Sequence, residues 1–310
     1  MSVLNCTLDL IYPPISNQEG VWFWEDKEVR EYVKSSKLYM LVHRQELKFV
    51  EVDERMIVQG ILKVKISMGD FISKYFLFQF TDDISALVED NTSILFEVGD
   101  KLFRVKRESD GKVIYWATPD KILYDVITRK IKLSSGNRED IGILQNFELL
   151  YVGISKKNDS FSRLFENAHH GRLNILSNEH TKEKKARMSD ELMILLFEVN
   201  WFNINTIESV ADIQNMFTYT DDEEAIVADA EKAFVSMFGS KYNEVKFKEY
   251  PKSSDGLYNK GLKGYSYSIN YDLRLYTDKI EYLGKYDNYM DRDGIVVQGD
   301  YVTHIKSLIK

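Results

Sequence analysis

Cysteine is almost absent from this 310-residue sequence, Cys6 being the single one. An intrachain disulfide and a thiolate metal cluster are thereby excluded, and a reducing compartment fits. Proline occurs only four times, while hydrophobic residues make up 44% and aromatics 13%. That composition describes a folded chain with a real core, not a disordered one. No run approaches the roughly 18 apolar residues that a membrane helix needs. The opening "MSVLNCTLDLIYPP" has neither the basic start nor the small-residue cleavage site of a signal peptide, so a cytoplasmic location without a membrane partner is expected. Positive charge is also in deficit, with a formal net charge of -8. A protein that coats nucleic acid non-specifically needs the opposite sign, so any nucleic-acid site must be local. The length points to two domains, or to one domain with large additions.

The strand signal dominates the first part. The segments "KLYMLVH", "LKFVEV", "GILKVKISM", "YFLFQF", "SILFEV", "KLFRVKR" and "KVIYWAT" are short, rich in β-branched or aromatic residues, and often alternate. Turns are expected at "VGDK" and at "ESDGK", whose Asp-Gly is a hairpin signal. The polar stretch from Lys130 to Glu139 reads as a linker, with a boundary near Gly136.

Beyond it the period changes. "IGIL" and "FELLYVG" read as two strands, and "NDSFSRLFENA" as a helix capped by Asp159 or Ser160, with Phe161, Leu164 and Phe165 on one face. The run "LMILLFEVNWF" suits a buried helix or a strand. "DDEEAIVADAEKAFVSMFG" is the clearest helix, with an acidic first turn suited to the helix dipole and Gly239 as its stop. The tyrosine-rich alternation of the tail predicts strands.

A few residues carry candidate chemistry. On a wheel of about 100° per residue, Val227, Ala228, Phe234, Val235 and Phe238 fall within roughly 60° of Glu231. A carboxylate inside an apolar stripe must be bonded to a cation, protonated, or placed at the rim of a cleft, because burying it unpaired costs several kcal/mol. A divalent metal would satisfy it; so would an ordinary Glu–Arg pair. Arg163 points away from its helix's apolar face, which suits either solvent or a phosphate gripped by a forked guanidinium. Tyr151 and Gly153 end an apolar strand, and Lys156 and Lys157 follow, able to face a polyanion. His169 and His170 are adjacent and diverge, so they form no metal pair by themselves. Asn243 lies just past the end of the Glu231 helix, placed to tie loop to helix or to brace a site. No His-Glu-x-x-His and no phosphate-binding glycine loop is present, which removes zinc proteases and P-loop enzymes.

Taken in order, "LLYVGIS", Arg163-Leu164, Glu231 and "KYN" resemble the GIY-YIG nuclease superfamily, most closely in "AEKAFVSMFGSKYN". The resemblance spans roughly residues 140 to 250 and implies an α+β chain. A β-rich N-terminal domain over residues 1–135, for recognition or regulation, would precede a small GIY-YIG-like α/β domain over 136–310. The latter would carry a helical insertion at about 182–220 and a C-terminal β extension. The resemblance further implies that Tyr151 helps shape the site and contacts the nucleophile or phosphate, that Gly153, Lys156 and Lys157 bind the nucleic acid, and that Arg163 stabilises charge on the scissile phosphate. Glu231 would ligate one Mg²⁺ or Mn²⁺, Asn243 would hold the site together, and His169 or His170 would replace the Tyr or His that follows the arginine helix. The family's first motif demands a tyrosine on the neighbouring strand. The local match at Gly142 to Leu144 has leucine there, and Tyr124 in "KILYDV" would substitute if that segment is the partner strand.

The expectation is therefore a metal-dependent endonuclease acting on DNA in a bacterial or phage setting, with a protein partner possible through the N-terminal domain. The alternative is an inactive domain of the same kind that binds nucleic acid or protein.

Overall fold

The computed structural model describes residues 2–80, 93–205 and 222–307. It is an α+β chain of largely antiparallel sheets. The chain begins with the long strand β1 (Ser2–Leu10), the short β2 (Ile15–Ser16), helices α1 (Asn17–Phe23) and α2 (Lys27–Tyr32), and strand β3 (Leu38–His43). Ser16 starts α1 with a capping box, its hydroxyl accepting from the Glu19 N–H while the Glu19 carboxylate accepts from the Ser16 N–H. Asp26 caps α2.

Two compact units are present. One comprises Met1–Arg44, Phe147–His180 and Met188–Lys310, the other Gln45–Asn146 and Thr181–Arg187. This division differs from the linear boundary expected near Gly136. The first 44 residues belong with the second half of the chain, and the β-rich unit is entered after β3 and left before the strand that carries Tyr151.

That β-rich unit contains a five-stranded sheet of β4 (Leu47–Asp53), β5 (Ile61–Met68), β6 (Phe71–Ile72), β7 (Phe76–Phe80) and, later, β11 (Ile131–Ser135). A three-stranded sheet joins β8 (Ile94–Val98), β9 (Phe103–Arg107) and β10 (Val113–Ala117). Of the seven segments read as strands, six are strands of this unit and "KLYMLVH" is β3 of the other, and Gly111 takes the left-handed conformation that the Asp-Gly turn needs, φ 70°. Three expectations fail here. The stretch from Lys130 to Glu139 read as a linker holds strand β11, paired antiparallel with β7. "KILYDV" lies in helix α3 (Pro119–Ile127), because Thr118 caps it and Pro119 suits a first turn. "IGIL" lies in helix α4 (Arg138–Leu144), started by Asn137 with Glu139 and Asp140 in its first turn. Neither segment, and so neither Leu144 nor Tyr124, supplies a strand beside Tyr151.

The other unit resumes with β12 (Asn146–Ile154), helices α5 (Ser160–Phe165), α6 (His170–Asn178) and α7 (Met188–Glu191), strand β13 (Leu192–Asn205) and helix α8 (Glu223–Phe238). It ends in β14 (Gly264–Asn270), β15 (Leu273–Tyr276), β16 (Glu281–Gly284), β17 (Gly294–Gln298) and β18 (Tyr301–Ile305). Its ten-stranded sheet runs β16, β15, β12, β3, β13, β1, β14, β17, β18, with β2 also on β13. The stretch read as a helical insertion at 182–220 is thereby corrected for its described part: β13 is an interior strand, paired with both β1 and β3. Residues 206–220 lie outside the described residues. The tail is likewise no appendage, since β14 pairs in parallel with β1 and β15 borders β12.

Burial explains why β13 looked ambiguous. Leu192, Ile194 and Leu196 pack with Tyr39, Leu41, Leu150, Phe161 and Leu164 in one core cluster. The alternate residues Met193, Leu195 and Phe197 are buried as well. A strand covered on both faces has an unbroken apolar run and no period to read. Among the described residues, no helix is long and apolar enough to cross a membrane.

Candidate functional site

Strands β3 and β12 are antiparallel neighbours, with Tyr39 opposite Gly153 and Tyr151 opposite Leu41. Because glycine has no side chain, the two tyrosine rings converge over it. A Cβ built on Gly153 would lie 2.5 Å from the Tyr39 hydroxyl oxygen and 2.7 Å from Tyr151 Cε1. The rings stack with centroids 6.1 Å apart. Gly153 was a candidate nucleic-acid contact; its observed task is to make room for this pair.

His169 closes the group edge-on, 5.6 Å from the Tyr39 ring and 5.5 Å from the Tyr151 ring. It is buried, and it stands at the N-cap of α6, where its Nδ1 accepts the Arg172 backbone N–H at 2.9 Å. A nitrogen that accepts carries no proton, so the ring proton resides on Nε2 and is donated to the Tyr39 hydroxyl oxygen, 2.7 Å away. The tautomer follows from this network. Burial, helped by Arg163 and Arg172, brings the His169 pKa down to about 4, so the ring is neutral near pH 7. Both tyrosines are shifted upward, chiefly by burial; Glu231 adds to the rise and Arg163 opposes it. Tyr39, Tyr151, His169, Arg163 and Glu231 thus share one local field, although Tyr39 and His169 are 130 residues apart in sequence.

Arg163 sits on α5, which Asp159 caps through the Ser162 N–H at 2.7 Å. It is exposed, and among the described residues its guanidinium makes no hydrogen bond or ion pair. Helix α8 begins at Asp222, which accepts the Ala225 N–H, and stops at Gly239 with φ 59°. Val227, Ala228, Phe234, Val235 and Phe238 are all buried, as the wheel requires. Glu231 lies half-buried among them, and its pKa is raised to about 7 by that burial, Asp255 adding to the rise and Lys232 and Lys156 opposing it. No hydrogen bond or ion pair reaches its carboxylate among the described residues. The Glu–Arg pair left open above is therefore not what holds it.

Asn243 is buried and fastens the loop after α8 to β12. Its Oδ1 accepts the Val152 N–H at 2.9 Å and its Nδ2 donates to the Val152 carbonyl at 2.7 Å. Ser240 Oγ donates to the same Oδ1 at 2.6 Å. The side-chain amide thus continues the ladder beside the Tyr-Val-Gly segment, as a strand residue would. Tyr242 adds a backbone bond to Leu150 and its hydroxyl donates to Glu179 at 2.7 Å.

The remaining candidates stand apart. His170 is exposed on α6, with Asn174 donating to it at 3.1 Å and Glu244 3.7 Å away. Only His169 of the pair joins the tyrosines. Lys156 and Lys157 are exposed beyond β12 and line a cavity of about 480 Å³ with Lys37, Asp255 and the first turns of α8. Lys156 lies 3.6 Å from the Asp255 carboxylate. Among the described residues no group of three or more His, Cys, Asp or Glu is placed to hold a metal ion; a cation at Glu231 would draw its other ligands from water or substrate.

Tyr39 is the residue that sequence reasoning passed over. Its segment "KLYMLVH" was legible as a strand, but nothing local ties it to Tyr151 across the intervening unit. Compared with known proteins, the chain matches no family model, no curated protein and no solved structure.

Proposed function

We propose that this chain is a divalent-metal-dependent endonuclease of the GIY-YIG kind, hydrolysing phosphodiester bonds in DNA. One observation carries the reading: two tyrosines on adjacent antiparallel strands converge over a glycine, beside a neutral histidine, within the field of an arginine and a half-buried glutamate that have no hydrogen-bond or ion-pair partner among the described residues. Tyr39 answers the demand for a tyrosine on the strand next to Tyr151. The alternative of an inactive binding domain draws on the lack of that residue and on the acidic net charge, and Tyr39 bears only on the first of these.

Glu231 fits a divalent cation, because a carboxylate partly desolvated by burial and without a partner among the described residues is stabilised by a positive charge. Bound there, Mg²⁺ or Mn²⁺ would act as a Lewis acid on the phosphoryl oxygens. Arg163 presents a forked donor set to a phosphate and offsets the charge that builds on its oxygens as water adds and the P–O bond breaks. His169 donates to Tyr39, and the Tyr39 hydroxyl is coupled in turn to that of Tyr151, so the two hydroxyls together can order a water or a phosphate oxygen. Asn243 and Gly153 hold the tyrosines in place rather than touch substrate. The β-rich unit is proposed to supply recognition, and the cytoplasm is proposed as the setting, in keeping with a single, buried cysteine, Cys6.

The test is incubation of purified protein with supercoiled plasmid, linear duplex, single-stranded DNA and RNA under Mg²⁺, Mn²⁺ or EDTA. Cleavage that needs metal and disappears in Glu231→Ala and Arg163→Ala is expected. Folded wild-type protein that cuts none of these substrates would refute the reading, and cutting by either variant would refute the site.

A further inference from the structure

Next to Glu231, α8 carries a second charged residue in an apolar setting. Lys232 has a side chain only 7% exposed, yet its ammonium is paired with the Asp255 carboxylate at 2.9 Å. It also donates to the Ala228 carbonyl at 3.1 Å, and the Phe247 ring lies 5.7 Å from it. The other oxygen of Asp255 faces the ammonium of Lys156, 3.6 Å away, at the mouth of the cavity beside α8. Two cations from separate elements, the turn after β12 and helix α8, therefore converge on one carboxylate.

An ordinary surface pair needs no buried lysine, because exposed amines are solvated without cost. Burying Lys232 fixes its ammonium in direction and lowers the water that would compete for it. Asp255 itself is 53% exposed, so its carboxylate meets solvent on one side. The backbone behind it is fastened. Asp229, fully buried on α8, accepts the Leu257 N–H at 2.7 Å and the hydroxyls of Tyr250 and Tyr267 at 2.7 and 2.9 Å. Gly256 lies so close that a Cβ there would come within 2.4 Å of Asp229 Oδ2. The main chain around Asp255 is thus held while its short side chain alone can turn aside.

We propose that Lys156 and Lys232 form a binding site for one backbone phosphate of a nucleic acid, and that Asp255 occupies this site when no nucleic acid is bound. A phosphate carries the same charge and the same acceptor oxygens as the carboxylate it displaces, and the two ammonium groups need no rearrangement to receive it. The exchange also weakens non-specific binding, because each phosphate must displace an internal anion first. This rests on the nuclease reading, since the phosphate would belong to the same strand that passes Glu231.

The experiment is anisotropy titration of the full chain with a short labelled DNA duplex in EDTA, so that cleavage plays no part, across a series of salt concentrations. Asp255→Asn should bind about five-fold more tightly, as one repelling charge is removed. Lys156→Gln should bind more weakly and lower the slope of log K against log salt by about one. In the double variant the gain from Asp255→Asn should shrink to less than about two-fold, because the two residues act on one site. A second readout guards against loss of fold. Inorganic pyrophosphate should raise the melting midpoint of Asp255→Asn more than that of wild type, by supplying Lys232 with a counter-charge. Tighter binding that persists undiminished without Lys156, or Asp255→Asn that binds no better while folded, overturns the proposal alone. Wild-type protein that binds no DNA overturns the nuclease reading with it.

Discussion

Replacing Asn243 by alanine removes a side chain that makes three hydrogen bonds and touches no candidate substrate position. Two of them satisfy both backbone groups of Val152, which is 0% exposed and flanked by Tyr151 and Gly153; the third comes from Ser240. Each such bond contributes about 1 kcal/mol net, and a buried backbone group left without a partner costs about 1–3 kcal/mol. Water entering the vacated space offsets part of this, so about 3 kcal/mol is expected in total. For a unit of this size that lowers the melting midpoint by roughly 6–12 °C. Asn243→Asp should be no better, because it keeps the acceptor for Val152 N–H but turns an oxygen toward the Val152 carbonyl. Asn174→Ala is the control, a half-buried amide on α6 whose side chain bonds, among the described residues, only the exposed His170, and its loss should stay within about 0.5 kcal/mol. Thermal and urea unfolding of the three variants measure this. Where Asn243→Ala remains folded its cleavage should still fall, since the tyrosine beside Val152 is no longer held. A variant that melts with wild type would refute the reasoning that Asn243 is the last rung of the β12 ladder.

The same logic extends to the other residues of the site. Gly153→Ala drives a methyl into both tyrosine rings at under 3 Å, so it should destabilise by about 1–3 kcal/mol and suppress cleavage. Gly171→Ala, where the nearest ring atom is 3.0 Å away, should be milder by both measures. Glu231, held at about 7, must lose its proton to receive a cation, so cleavage at limiting Mg²⁺ should rise with pH through about 7 and shift to lower pH as Mg²⁺ is raised. Its folded pKa lies above the ordinary 4.5, so its ionisation erodes stability as pH climbs from there through about 7. Glu231→Gln should therefore be more stable than wild type near pH 8 and equal to it near pH 4. His169 works in the opposite sense. Held down to about 4 from 6.5, it contributes stability above about pH 6.5 that is lost as the pH falls through 4, and His169→Gln should flatten that acid limb of the unfolding profile.

Much of this molecule was legible because its signals are local. The strands of the β-rich unit alternate or carry β-branched residues, and α8 shows its cap, acidic first turn and glycine stop in consecutive letters. Helix α5 shows its cap, Asp159, just as locally. The apolar stripe of α8 also exposed Glu231 as a carboxylate in the wrong place, which is a statement about helical geometry and needs no tertiary model. Where local signals misled, a competing local rule had won. "KILYDV" and "IGIL" have strand-like composition, but Thr118-Pro119 and Asn137 set helix starts before them. Strand β13 hid its nature because both of its faces are buried, leaving no period.

The sequence by itself determined the α+β class, the helix that presents Glu231, the capped turn that presents Arg163, and the Asn243 that follows at loop distance. Only the tertiary structure decided which tyrosine stands beside Tyr151, which of two adjacent histidines faces it, and that Lys232 is buried against Asp255. The physical reason is one of range. Caps, turns and helical faces are fixed by neighbours a few residues away, whereas sheet pairing is fixed by burial of whole faces. It brings Tyr39 to Gly153 across a unit whose length leaves no trace in the local pattern of either strand.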